Sequence, residues 1–157
     1  MLARGTKLAE AQGSKMSEEI KERPRPHKIL VVDDDPLVHR LYQHHLQRAG
    51  CQMLSANNGQ EALALAAREL PDLIVLDVMM AGMDGLTVLR ALKKTDTTRA
   101  IPVLVITANP HQMTQRESEL SGAAGFLTKP FSPNQLLGEI RRASVARRAP
   151  ALHPGFP

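Results

Sequence analysis

Leu73-Ile74-Val75-Leu76-Asp77-Val78-Met79-Met80 is an apolar run that carries one carboxylate and opens into the turn Ala81-Gly82-Met83-Asp84-Gly85. Apolar side chains at every position, not at every second one, predict a strand covered on both faces, as in a parallel sheet between helical layers. In open parallel sheets the site forms at the carboxyl ends of the strands. Asp77 sits at such an end. The question for the rest of the chain is what the other strand ends bring to it.

Working outward, Lys28-Ile29-Leu30-Val31-Val32 is a second buried strand, and it ends in Asp33-Asp34-Asp35-Pro36. Asp35 followed by Pro36 is a helix start, with the carboxylate as N-cap and the proline in the first turn. Leu37, Val38, Leu41, Tyr42, His45 and Leu46 then recur at helical spacing up to Gly50. Cys51–Ala56 reads as a shorter strand, and Asn58 with Glu61 as a capping box for a helix from Gly59 to Leu70. Beyond the opening stretch, Asp84-Gly85 starts a helix to about Thr95, and Pro102–Thr107 is again a buried strand. The segment His111–Ser121 is a weakly apolar helix whose expected anchors are Met113 and Leu120. Gly125-Phe126-Leu127-Thr128 is a short last strand, and Ser132-Pro133-Asn134-Gln135 opens a final helix.

Five strands alternating with five helices predict an α/β fold. It is a doubly wound, five-stranded parallel sheet with five helices, a flavodoxin-like three-layer sandwich. The expected organisation is a flexible leader over 1–26 with a short helix around Ser17–Glu22, one domain over 27–147, and a Pro-rich tail over 148–157. Net charge is +4, but the leader holds +2, residues 141–157 hold +4, and the body over 27–140 holds −2. Basic tails around an acidic body, with few aromatics, disfavour nucleic acid as a partner. No apolar run reaches the roughly 18–20 residues of a membrane span. A single cysteine, Cys51, rules out a disulfide framework, so the expected compartment is the cytoplasm.

The strand ends, taken together, are Asp33-Asp34, Asp77, Thr107 and Lys129. Three acids in one pocket raise one another's pKa unless a cation sits among them. Mg²⁺ suits such a site, because it takes carboxylate oxygens and keeps waters for phosphate. Helix capping alone explains Asp35, but not two further acids at the end of a buried strand. With a metal, a Thr hydroxyl and a Lys ammonium around it, Asp77 has what a carboxylate nucleophile needs to accept a phosphoryl group.

Val31-Val32-Asp33-Asp34, Asp77-Val78-Met79-Met80 with Met83-Asp84-Gly85, Thr107-Ala108 and Lys129-Pro130-Phe131 together resemble the receiver domain of two-component response regulators, of the stand-alone, chemotaxis-regulator-like kind. The resemblance covers about residues 27–147. It implies a phospho-aspartate signalling switch, not an enzyme beyond Mg²⁺-dependent self-phosphorylation and self-dephosphorylation. Asp77 would accept phosphate from a histidine kinase or a phosphotransfer protein. Asp34, Asp77 and the Met79 carbonyl would ligate Mg²⁺ (Mn²⁺ as the substitute), Asp33 would act through water, and Lys129 would pair with the phosphoryl oxygens. A cis Lys129-Pro130 peptide is expected. Thr107 and Phe126 would form the switch pair, with Phe126 lacking the hydroxyl of the more usual Tyr. Ala81 stands where the family usually has Pro, which should loosen that turn without touching a ligand.

Output would pass to a downstream protein effector through the face over roughly His111–Arg142, or the protein would serve as a phosphoryl relay or sink. An aspartyl-nucleophile phosphatase is the enzymatic alternative, but Met79 stands where its second acid belongs. A flavin-binding relative would need a phosphate loop where Asp33-Asp34-Asp35 lies. A never-phosphorylated receiver-like scaffold is the third alternative, disfavoured by the complete set of acids, Thr and Lys.

Overall fold

The computed structural model describes residues 28–111 and 113–146; the proposed leader helix at Ser17–Glu22 and the Pro-rich tail lie outside them. The observed elements are β1 (Lys28–Val32), α1 (Pro36–Arg48), β2 (Gln52–Ala56), α2 (Gly59–Glu69), β3 (Leu73–Asp77), α3 (Gly85–Lys94), β4 (Val103–Thr107), α4 (Gln115–Leu120), β5 (Gly125–Thr128) and α5 (Pro133–Ala146). All strand pairs are parallel, in the order β2-β1-β3-β4-β5. The three uniformly apolar runs, β1, β3 and β4, are thus the interior strands, as double-sided burial requires.

Alternate residues of those strands feed two cores. Leu30, Val32, Ile74, Leu76, Val103 and Val105 pack with Ala62 and Ala66 of α2 and with Val88, Leu89 and Leu92 of α3. Ile29, Val31, Leu73, Val75, Leu104 and Ile106 pack with Tyr42 and Leu46 of α1 and with Leu136, Ile140 and Ala143 of α5. These are the three layers of the sandwich. Burying a dozen large side chains at roughly 1.5–3 kcal/mol each is the main force holding the sheet between its helices. Among the described residues no helix is long and apolar enough to cross a membrane.

The capping chemistry sets the helix starts. Asp35 accepts from the Leu37 N–H, Asn58 from Glu61, Asp84 from Thr87, and Ser132 and Gln135 cap each other reciprocally.

Two helical expectations need correction. The segment 111–121 is helical only over Gln115–Leu120, because the reciprocal bonds of Thr114 and Glu117 start it late and Gly122, at φ +96°, stops it. With that start, Ser118 faces inward and is fully buried. Leu120, about 200° further round the helix, points out at 78% exposure and anchors nothing. Met113, just before the helix, is the anchor that holds. In α1, Leu37 and Leu41 also face outward, while Tyr42, Leu46 and His39 make the inward stripe.

One glycine decides how closely α3 approaches the end of β3. A Cβ on Gly85 would lie 2.5 Å from Val78 Cα and 2.7 Å from Asp77 O, both main-chain atoms that cannot yield cheaply. The Gly85 N–H also donates to Val78 O at 3.1 Å. Gly85→Ala should therefore cost about 2–3 kcal/mol of stability, read as a lower urea midpoint. An unchanged midpoint would show that α3 can shift without strain.

Candidate phosphoryl site

Three main-chain bonds beyond the ends of the strands hold the site together. Asp33 N–H donates to Ala56 O at 3.1 Å, Val78 N–H to Ile106 O at 3.0 Å, and Lys129 N–H to Thr107 O at 2.8 Å. Register then places the end of β1 beside that of β3, through the pair Val32 and Leu76, and the end of β4 beside that of β5, through Thr107 and Thr128. Asp33, Asp77, Thr107 and Lys129 meet at one edge of the sheet, as the sequence predicts.

Lys129 Nζ lies 3.0 Å from Asp77 Oδ2 and 3.5 Å from Asp33 Oδ2. The other Asp77 oxygen, Oδ1, accepts from the Met79 N–H at 2.7 Å. Asp33 Oδ1 accepts from the Asp35 N–H at 2.9 Å. Both acids are buried. Burial pushes the Asp33 pKa up to about 6; the Asp35 N–H opposes this, the hydrogen bond and charge of Asp77 add to it, and Lys129 offsets a part. Lys129 is itself pulled down by burial, but Asp77 and then Asp33 more than reverse that, so its pKa is raised and it stays charged. The lysine's cis peptide to Pro130 is present as expected.

Asp34 is the exception. Its carboxylate is exposed and turned to the rim, where Oδ2 accepts from the Ala81 N–H at 3.1 Å. Among the described residues the three acids therefore do not form one cluster. The expectation that Ala81 leaves the ligands alone is overturned, because a proline has no N–H and only a non-proline residue can make this bond. The donor set still suits a hard divalent cation: every side-chain donor is a carboxylate oxygen, and two buried acids face one ammonium.

Thr107 is fully buried, and its hydroxyl is spent within its own loop, donating to Asn109 O at 3.0 Å and accepting from Asn109 N–H at 3.1 Å. It is beside the site without yet reaching into it. Phe126 is half-buried against the α2–α3 core, across from Val105 of β4. Met79 is exposed at the rim.

One residue the sequence reading did not single out belongs to this edge. His39 Nε2 is 2.6 Å from the main-chain oxygen of Asp33. Counting back from Leu46 and Tyr42 at helical intervals lands on His39, so the inward stripe of α1 was the available signal.

A family model described as the response regulator receiver domain matches residues 29–141. The response regulator PleD of Caulobacter vibrioides is 47% identical over 114 residues, 73% of this chain but 25% of PleD. The protein PilH of Pseudomonas aeruginosa is 36% identical over 113 residues, covering 72% of this chain and 93% of PilH. The solved structure of the chemotaxis response regulator CheY4 of Vibrio cholerae superposes with a TM-score of 0.69 at 34% identity, over 76% of this chain and 99% of CheY4. The chain thus spans a quarter of one relative and nearly all of another.

Without metal, the two facing acids cost stability. Between the usual carboxylate pKa near 4 and about 6, folded Asp33 keeps a proton that the unfolded chain loses, so stability falls as pH rises through that window. Asp33→Asn removes the buried charge, and with it the repulsion from Asp77, and should add on the order of 1–2 kcal/mol at pH 7.5 in EDTA, with the gain vanishing by pH 4. Denaturation curves at the two pH values check it; a less stable variant at pH 7.5 would mean that the Asp33–Lys129 contact outweighs the repulsion.

Proposed function

Since the chain belongs to the response regulator receiver domain family, a family of phosphoryl-accepting signalling switches, we propose that Asp77 is its acceptor and a histidine kinase or phosphotransfer protein its donor. The observation that carries this reading is Lys129 held by both Asp77 and Asp33 at the joined ends of β3, β1 and β5. In the transfer, a carboxylate oxygen of Asp77 forms a bond to phosphorus as the bond from phosphorus to the donor's ring nitrogen breaks, and the electron pair leaves with that nitrogen. Lys129 moves its hydrogen bond from Asp77 to a phosphoryl oxygen, which keeps the new charge paired in a half-buried place. Thr107 breaks its ring with Asn109 and turns its hydroxyl to a second oxygen. Phe126 then fills the space that Thr107 leaves, and its move alters the face that a downstream protein effector reads.

Mg²⁺, or Mn²⁺ in its place, would be held by Asp34, Asp77 and the Met79 carbonyl, with Asp33 acting through water. It supplies charge neutralisation between the acids and the incoming phosphate. For this chain that role asks Asp34 to leave the Ala81 N–H and swing inward. Met79 brings no acid two residues beyond Asp77, which supports a switch over a phosphatase. We place the protein in the cytoplasm, where its donor's phosphate comes from and where a lone cysteine stays reduced.

Incubation with a small acyl phosphate and Mg²⁺ should label the protein once, in an acid-stable, base-labile form. Chelating the metal, or Asp77→Asn, should abolish the label; label that survives Asp77→Asn overturns the assignment. Lys129→Ala should still bind Mg²⁺ yet lose most of the amide-shift changes that phosphorylation causes over 107–128. A full set of changes in that variant would make the lysine merely structural.

A further inference from the structure

We infer that His39 is a positioning residue for the metal-ligating acidic loop, acting through the main-chain oxygen of Asp33; this rests on the metal reading above. His39 is in the first turns of α1, and only 8% of it is exposed. A carbonyl oxygen can only accept, so the 2.6 Å contact from Nε2 to Asp33 O requires the hydrogen on Nε2. That oxygen belongs to the peptide joining Asp33 to Asp34. The peptide is planar, so holding its oxygen back toward α1 also sets the direction in which the two acids leave the chain. Asp33 is sent down onto Lys129 and Asp34 out to the rim at Ala81.

A second observation shows that His39 is more than filler between helix and sheet. Its other ring nitrogen, Nδ1, is buried and has no hydrogen-bond partner among the described residues. An apolar side chain, like that of its stripe neighbour Leu46, would pack there without that cost. The Nε2 bond is what the histidine gains in exchange, and its only recipient is the acidic loop. Groups that orient metal-ligating residues from behind act on metal affinity more than on the fold.

Magnesium binding by titration calorimetry separates the two roles. His39→Phe keeps a ring and removes the donor, and should bind Mg²⁺ about tenfold more weakly than the parent chain. His39→Gln, whose amide N–H can reach the same carbonyl, should recover most of that loss. Unfolding midpoints in EDTA are read beside these affinities. A lower midpoint with unchanged Mg²⁺ affinity in His39→Phe would overturn the inference and leave the metal reading standing. Absence of Mg²⁺ binding by the parent chain would overturn both. If His39→Phe does not fold, ¹⁵N spectra of the parent decide: the ring should be the Nε2–H tautomer, with an Nε2 signal that moves on adding Mg²⁺. An Nδ1–H tautomer, or an Nε2 signal indifferent to saturating Mg²⁺, overturns it.

Discussion

Two buried carboxylates on neighbouring strands share one ammonium, and the rest of the site follows from that imbalance. Asp33 and Asp77 cannot move apart, because the ladder between β1 and β3 and the bonds from Asp33 to Ala56 and from Val78 to Ile106 hold their backbones. The sheet therefore holds the repulsion in place, and it adds to the burial that chiefly raises the pKa of Asp33. Lys129 relieves a part of it, tied to the same edge by its own N–H on Thr107. Any ligand that brings positive charge gains from the remainder, and any group that draws Lys129 away must replace its charge. In this way the packing of three apolar strands, worth far more than any single ion pair, preorganises an arrangement that would scatter in an open chain.

The bond between Asp34 and Ala81 sets how the acids are distributed before anything binds. With Asp34 on the rim, the inner pair exceeds its one lysine by a single negative charge; with Asp34 turned inward, the excess would be two. The N–H that a proline would remove thus holds the resting form at lower charge density. An exposed hydrogen bond of this kind contributes only about 0.5–1.5 kcal/mol, small enough for a divalent cation to overcome.

Much of this was legible in the sequence, and for a physical reason. Strands buried on both faces must be apolar throughout, so the first polar residue after each run marks where the sheet ends and the site begins. Asp33, Asp77 and Thr107 are found by that rule; Lys129 follows Thr128 at the end of the half-buried edge strand β5, and is found by its place beside the other strand ends. Side-chain direction is not carried by the pattern. The turn of Asp34 to Ala81, the closed ring of Thr107 with Asn109 and the contact of His39 with a carbonyl each depend on a single rotamer. Leu120 was misplaced because a six-residue helix offers too few turns for periodicity to choose a face, and the capping box at Thr114 chose it instead.

The same contrast between firm and loose parts says where a signal can leave. The acids stand at the ends of interior strands, β3 buried throughout and β1 buried at all but Lys28, whereas β5 is a half-buried edge and α4 has six residues with one buried side chain, Ser118. Ser118 Oγ has no hydrogen-bond partner among the described residues, so the contact it makes is a weak one to give up. Thr107 lies at the boundary, fully buried on β4 but with its hydroxyl committed only to the loop that leads toward α4. Turning that hydroxyl toward Asp77 frees both Asn109 bonds, and the first element downstream is also the one that costs least to shift. Phe126, paired across from Val105 and lacking a hydroxyl to anchor either pose, can follow on packing alone. On the proposed phosphorylation of Asp77, the charge change at the rigid end of β3 would thereby be read out through the loosest edge of the fold.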